Sequence, residues 1–123
     1  MRPEPAIQLS IPASPRYLRL ARLAAAGMAG ELGYTSRSVE DVRVAVDELC
    51  SVIIDHAEER SELELVYRPT IRGLIVEGSC RSGSEQAPEL DGLARDLLTR
   101  LADEYSIGAV DGTRNFRLLK YAD

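Results

Sequence analysis

Residues 38–57 read SVEDVRVAVDELCSVIIDHA. Val42, Ala45, Val46, Leu49, Val52 and Ile53 recur at spacings of three and four, which predicts an α-helix. Val44 and Ile54 widen the apolar coverage beyond one stripe, so the helix is expected to be central and buried on much of its surface. Ser36 or Ser38 is its expected start. Ser38-Val39-Glu40-Asp41 reads as a capping box with Asp in place of Glu, and two acids in the first turn suit the positive end of the helix dipole. The helix is expected to end near His56-Ala57-Glu58.

The flanks fill in around this helix. Residues 6–11 alternate, with Ile7, Leu9 and Ile11 on one face of a short strand that Pro12 ends. Ser14-Pro15 is a helix start, Ser at the N-cap and Pro at the first helical position. That helix is expected to reach Leu32, with Gly33 just past its end. Tyr17, Leu20, Ala24, Gly27, Met28 and Glu31 lie near one stripe, and Arg16, Arg19 and Arg22 line a more polar side. The small residues from Ala24 to Gly30 permit close helix approach, either in the core or at a dimer seam. Downstream, residues 62–67 and 71–77 read as strands around a turn at Arg68-Pro69-Thr70. A polar loop from Arg81 to Pro88 leads to a third helix over residues 89–104, carrying Leu90, Leu93, Ala94, Leu97, Leu98 and Leu101. Residues 105–110 and 115–121 are strands joined by a tight turn at Asp111-Gly112. The order β-α-α-β-β-α-β-β predicts an α+β fold. Its helices cover one face of a mainly antiparallel sheet, a two-layer α/β sandwich, in a single domain over residues 1–123.

Composition narrows the function classes. With 45% hydrophobic and 28% charged residues in 123, the chain is globular rather than disordered. A net charge of -5 argues against direct nucleic-acid binding, which needs a basic surface. No apolar run approaches the roughly 18 residues of a membrane span, and residues 1–15 lack the apolar core of a signal peptide. Cys50 and Cys80 match no zinc spacing and read as reduced thiols of a cytoplasmic protein, Cys50 buried and Cys80 in a loop. His56 is the only histidine, so no metal site is expected; its place at a helix end suits the dipole.

Several of these residues also resemble a known family. Pro12-Ala13-x-Pro15-x-Tyr17, Arg22-Leu23, Leu32-Gly33-Tyr34, Val39-Glu40-Asp41-x-x-x-Ala45-Val46-x-Glu48-x-Cys50 and His56-Ala57 are similar to the anti-sigma-factor serine kinases. These belong to the wider superfamily of gyrase, heat-shock-protein-90 and histidine-kinase-type ATPases, with the Bergerat fold. The resemblance covers most of the chain and is loosest between Arg81 and Asp91.

The resemblance implies an ATP site of three elements, and each departs from the pattern here. The N box is Glu-x-x-x-Asn on the second helix; Glu and Asn one turn apart face the same pocket, the first as general base and the second as a ligand of Mg²⁺. Glu48 holds the first position, but the second is Val52, and an aliphatic side chain cannot serve a cation that wants oxygen. The G1 box, Asp-x-Gly-x-Gly, falls where this chain has Glu77-Gly78-Ser79-Cys80-Arg81-Ser82-Gly83, with no Asp and Glu77 as a remnant at most. The G2 box is reduced to Asp91-Gly92, and the connection from Ser79 to Pro88 is short for an ATP lid. The expectation is a degenerate member that has lost ATP and Mg²⁺, with Glu48 a family position without its chemistry and Val52, Glu77, Gly78 and Gly92 the degenerate cofactor positions. Arg16, Arg19 and Arg22 are the candidate partner-binding residues, because the family uses an arginine at the Arg22 position to contact partners. The implied partners are a sigma factor or an anti-sigma antagonist. Two rivals stay open: an active serine kinase with an unusual site, and a dimerisation subunit that pairs with an intact relative.

Overall fold

A computed structural model describes residues 5–123. The stretch that opened the reading is the axis of the fold. Helix α2 runs Ser36–Ile54 and α1 runs Leu18–Glu31, after a short 3₁₀ turn at Pro15–Tyr17. On α2, Ala45, Val46, Leu49, Cys50 and Ile53 are wholly buried, Val46, Leu49 and Ile53 each contributing about 1.5–3 kcal/mol of burial. The cap differs from the expected box. Thr35 is the N-cap, its Oγ1 accepting from the Ser38 N–H at 3.2 Å. Ser38 instead donates its hydroxyl to Asp123 at 2.8 Å, while Glu40 and Asp41 pair with Arg43 and Lys120.

Strands β1 (Ile7–Pro12), β2 (Glu62–Pro69), β3 (Gly73–Arg81), β4 (Glu104–Val110) and β5 (Thr113–Tyr121) form one sheet, with α3 (Gly92–Leu101) between β3 and β4. The order is β1-β2-β3-β5-β4 and every pairing is antiparallel. Leu63, Leu65 and Tyr67 on β2, Leu74, Val76 and Cys80 on β3, and Phe116 and Leu118 on β5 face the helices and are buried. The predicted two-layer sandwich and element order are borne out. Two tyrosines tie the layers. The Tyr67 hydroxyl donates to the Ala21 carbonyl of α1 at 2.9 Å. The Tyr34 hydroxyl donates to Lys120 O at 2.6 Å and accepts from the Leu74 N–H at 2.8 Å.

The details differ in four places. Tight packing of α1 uses Leu18, Ala21, Ala25 and Ala29, not the expected stripe, so Leu20 and Leu23 are exposed. Small residues let α1 lie close to its neighbours, and this favoured the alanines over the leucines. The β2–β3 turn lies at Thr70–Gly73 rather than Arg68–Thr70. Thr70 and Gly73 bond each other there and Gly73 has φ 149°, while Ile71 is fully exposed. Because β3 therefore starts and ends later, Cys80 is a buried strand residue and not a loop thiol. Helix α3 is shorter than expected and leaves Leu93 79% exposed. The Asp111-Gly112 turn is as predicted, with φ of 50° and 76°, positive at both central positions as a type I′ hairpin requires.

Candidate functional site

The candidate positions lie on three elements: Glu48 and Val52 on α2, Glu77 and Gly78 on β3, and Gly92 at the start of α3. Glu48 and Val52 stand one turn apart on α2, both partly exposed, with Val52 packed against the apolar core. Strand geometry separates the next two. Glu77 and Gly78 are consecutive and so point to opposite faces. Glu77 lies on the open face of the sheet, 3.4 Å from Arg68, and cannot reach the helix side; the reading of Glu77 as a remnant is corrected by this register. Gly78 faces the helices opposite Phe116. The Phe116 ring lies where a side chain at 78 would start: a Cβ on Gly78 would meet it at 2.2 Å.

Arg114, two residues earlier on β5, also points inward and is 5% exposed. Its guanidinium donates to Asp55 O at 2.9 Å and to Gln86 O at 3.2 Å, and its Nε has no partner. Asp55 is the C-cap of α2, so the buried cation meets the negative end of that helix's dipole. The same residue pins the connection that would serve as a lid. That segment is further held where Ser82 N–H donates to Gly112 O at 2.9 Å and Gly83 N–H to His56 O at 2.7 Å. His56 sits just past the helix with φ 66°. At the far end Asp91 caps α3, its carboxylate accepting from the Ala94 N–H at 2.7 Å. The N-terminal end of α3, where Gly92 is the first residue, is thus already served by a carboxylate. Burial pushes the Cys50 and Cys80 thiols up, which keeps both protonated and unreactive at neutral pH.

The residues present do not fit Mg·ATP. Val52 offers no oxygen, Phe116 and Arg114 take up the helix-facing side of the strands, and Asp91 would repel phosphate. Among the described residues, no three His, Cys, Asp or Glu side chains are placed to hold a metal ion. Sequence reasoning missed Arg114 and Phe116. The signal was available: counting back by twos from buried Leu118 puts both on the inward face, and an inward arginine is unusual enough to mark.

The candidate docking residues divide. Arg22 is turned toward α2 and ion-pairs with Asp47 at 2.7 Å. Arg16 and Arg19 are exposed, Arg16 lying over the Tyr17 ring at 5.2 Å. With exposed Leu20 and Leu23 they form one stripe at i, i+3, i+4 and i+7, opposite the buried alanines. Arginine beside exposed leucine is an interface-like mixture.

A buried central helix flanked by β1–α1 and β2–β3, with a site at the α2–α3 junction, defines a class. The histidine kinase-like ATPase domain family matches residues 11–115, and the chain belongs to that family. Among curated proteins it is similar to the serine-protein kinase RsbW of Bacillus velezensis, 41% identical over 64 residues, which is 50% of this chain and 40% of the relative. It is also similar to the RsbW kinases of Halalkalibacterium halodurans and Bacillus subtilis, each 39% identical over 51 residues, 42% of this chain and 32% of the relative. The match thus spans less than half the length of each of these relatives. The resemblance read from Pro12 to Ala57 is borne out. No helix among the described residues is long and apolar enough to cross a membrane.

Proposed function

We propose that this chain is a regulatory protein-binding module of the anti-sigma type that works in the cytoplasm without ATP-dependent phosphorylation. It docks or sequesters a sigma factor or an anti-sigma antagonist. The observation that carries the reading is the junction at Arg114: a buried guanidinium of the protein itself bonds the Asp55 carbonyl at the end of α2 and the Gln86 carbonyl, and so pins the connection after β3 to α2. A nucleotide would have to displace a buried guanidinium and an aromatic ring. Regulation then rests on competition between mutually exclusive complexes, with Arg16, Arg19, Leu20 and Leu23 as the contact stripe and Arg22 available once it leaves Asp47.

Isothermal titration with ATP and Mg²⁺ tests the loss of nucleotide. No heat is expected at millimolar nucleotide; micromolar affinity would restore the kinase reading, for which the retained Glu48 is the specific support. Titration against purified sigma factors and anti-sigma antagonists of the source organism tests the docking. One should bind at micromolar Kd or tighter, and Arg19→Glu should weaken it at least tenfold, about 1.4 kcal/mol. Equal binding by wild type and variant removes α1 from the interface.

A further inference from the structure

The helices cover one face of the sheet and leave the other open. Because Gly78 and Phe116 point to the helices, their strand neighbours point to the open face. The register there sets two rows side by side. One passes Glu64, Ser79 and Asn115 on β2, β3 and β5; the next passes Glu77 and Arg117 on β3 and β5, with Ser106 of β4 beside Arg117. These residues line an open trough of about 430 Å³, the size of a small-molecule site. Its charge is divided. Glu64 and Glu77 hold the β2–β3 side, and exposed Arg117 holds the β5 side. Arg68, Arg72 and Arg81, on or beside this face, each pair with a carboxylate: Glu77 at 3.4 Å, Glu104 at 2.7 Å and Glu58 at 3.5 Å. Arg117 has no ion pair or hydrogen bond from its side chain among the described residues. Glu77 stands directly opposite it but is turned to Arg68. Around Arg117, the side chains of Asn115, Ser79 and Ser106 are also without a hydrogen-bond partner among the described residues.

We infer that this trough binds a short molecule with a carboxylate at one end and an amine at the other, of the class of a free tripeptide. Arg117 takes the carboxylate, its planar fork donating two parallel bonds, with the Asn115 amide and the Ser106 hydroxyl as further donors. Glu64 and Glu77 take the ammonium. A ligand with only negative charge would meet the two glutamates, and one with only positive charge would meet Arg117, so both ends of the trough favour a two-ended ligand. The sheet sets its length. Strands β2 and β5 flank β3, two strand spacings apart, about 10 Å. Three extended residues span about the same distance. The molecule therefore lies across the strands, with the Ser79 hydroxyl under its middle amides. The trough faces away from α1 and from Arg114, so it is independent of both the docking stripe and the loss of nucleotide.

The trough is open to water, so a Kd of about 1–10 mM is expected. The probe is tri-alanine with both termini free, titrated into the ¹⁵N-labelled full chain and followed by NMR. Backbone amides of Ser79, Ser106, Asn115 and Arg117 should shift, and added salt should weaken binding. Blocking either end, by N-acetylation or C-amidation, should weaken binding about fivefold. The variants assign the ends. Arg117→Gln should weaken the free peptide about fivefold and leave the amidated peptide unchanged, because both remove the same pair. Glu64→Gln should do the same with the free and acetylated forms. Both side chains are exposed, so both variants should fold, which circular dichroism checks. No shift at 50 mM tripeptide overturns the inference, as do shifts confined to the helix layer. Blocked peptides that bind as tightly as the free one also overturn it. So does an Arg117→Gln protein that loses the free and amidated peptides to the same extent, since that would be damage to the sheet and not a lost contact.

Discussion

The two sides of α2 are packed by different means. Toward α1 and β2 the contact is built from buried apolar side chains, among them Ala21, Ala25 and Ala29 on α1 and Ala45, Leu49 and Ile53 on α2, closed by the Tyr67 hydroxyl on the Ala21 carbonyl. Toward α3 and β5 it is held by a buried guanidinium with one nitrogen unpartnered and by a ring that fills the space over a glycine. The first is an apolar jigsaw of the ordinary kind. The second is a polar tie set into an otherwise apolar layer. A buried cation bonded only to carbonyls stabilises little by itself, because its desolvation offsets the bonds it makes. Its value is in fixing geometry: it sets the place of the connection between β3 and α3. The lesson is that one helix can be packed by apolar fit on one side and by a polar tie from a distant strand on the other.

The comparison breaks most visibly on the first side. Leu49→Ala removes a wholly buried side chain at the centre of α2 and should cost about 3 kcal/mol. For a domain of this size that lowers Tm by roughly 10 °C. Thermal unfolding followed by circular dichroism measures it. A change below 1 kcal/mol would mean that the α1–α2 core is loosely packed and the contrast false.

On the second side the sharper probe adds an atom group. Gly78→Ala drives a methyl into the Phe116 ring, and overpacking of this kind should cost about 1–3 kcal/mol. The loss should be partly recovered in the double variant with Phe116→Leu, giving a coupling of about 1 kcal/mol in a denaturant-unfolding cycle. Additive effects would show that the ring does not fill the space over residue 78.

The same contrast explains how much could be read in advance. The fold was legible because its signals are local: the helix periodicity of residues 38–57, the alternation of the strands and the Asp-Gly turn each specify their own element. The place of Val52 one turn beyond Glu48 was legible from the same helix periodicity. Boundaries were less so. Arg68-Pro69 looks like a turn, yet Pro69 ends a strand, because the turn needed Gly73 at φ 149°, a conformation L residues rarely adopt. The packing face of α1 was misread because leucine outweighs alanine in an apolar count, whereas close helix approach selects the smaller side chain. Arg114 and Phe116 were hidden because they lie 34 and 38 positions beyond Cys80 and Gly78, by subtraction of sequence numbers, and only the sheet register sets them side by side. Glu77 and Gly78 were treated as one motif, although their opposite faces decide that only Gly78 belongs to the site.

The smallest effect expected lies at the other end of α2, where its first residues are tied to Asp123. Asp123 accepts from the Thr35 N–H at 2.7 Å and from the Ser38 hydroxyl at 2.8 Å. These bonds hold its carboxyl below the usual range, the Thr35 N–H contributing most and Ser38 next. A group whose folded value is depressed stabilises the fold above its unfolded pKa, about 3.9 for Asp. That stabilisation is lost as pH falls through the folded value. Asp123→Asn should therefore lower Tm slightly at pH 7, and the gap to wild type should narrow and close as the pH is taken below about 4. The site is exposed, so the effect should shrink in high salt. A gap that persists unchanged at pH 2 would assign the effect to the shape of the side chain rather than its charge. The anchor at the start of α2 would then be another packing contact, and the charged ties of this helix would be those of Asp41 to Lys120, of Asp47 to Arg22 and of the Asp55 carbonyl to Arg114.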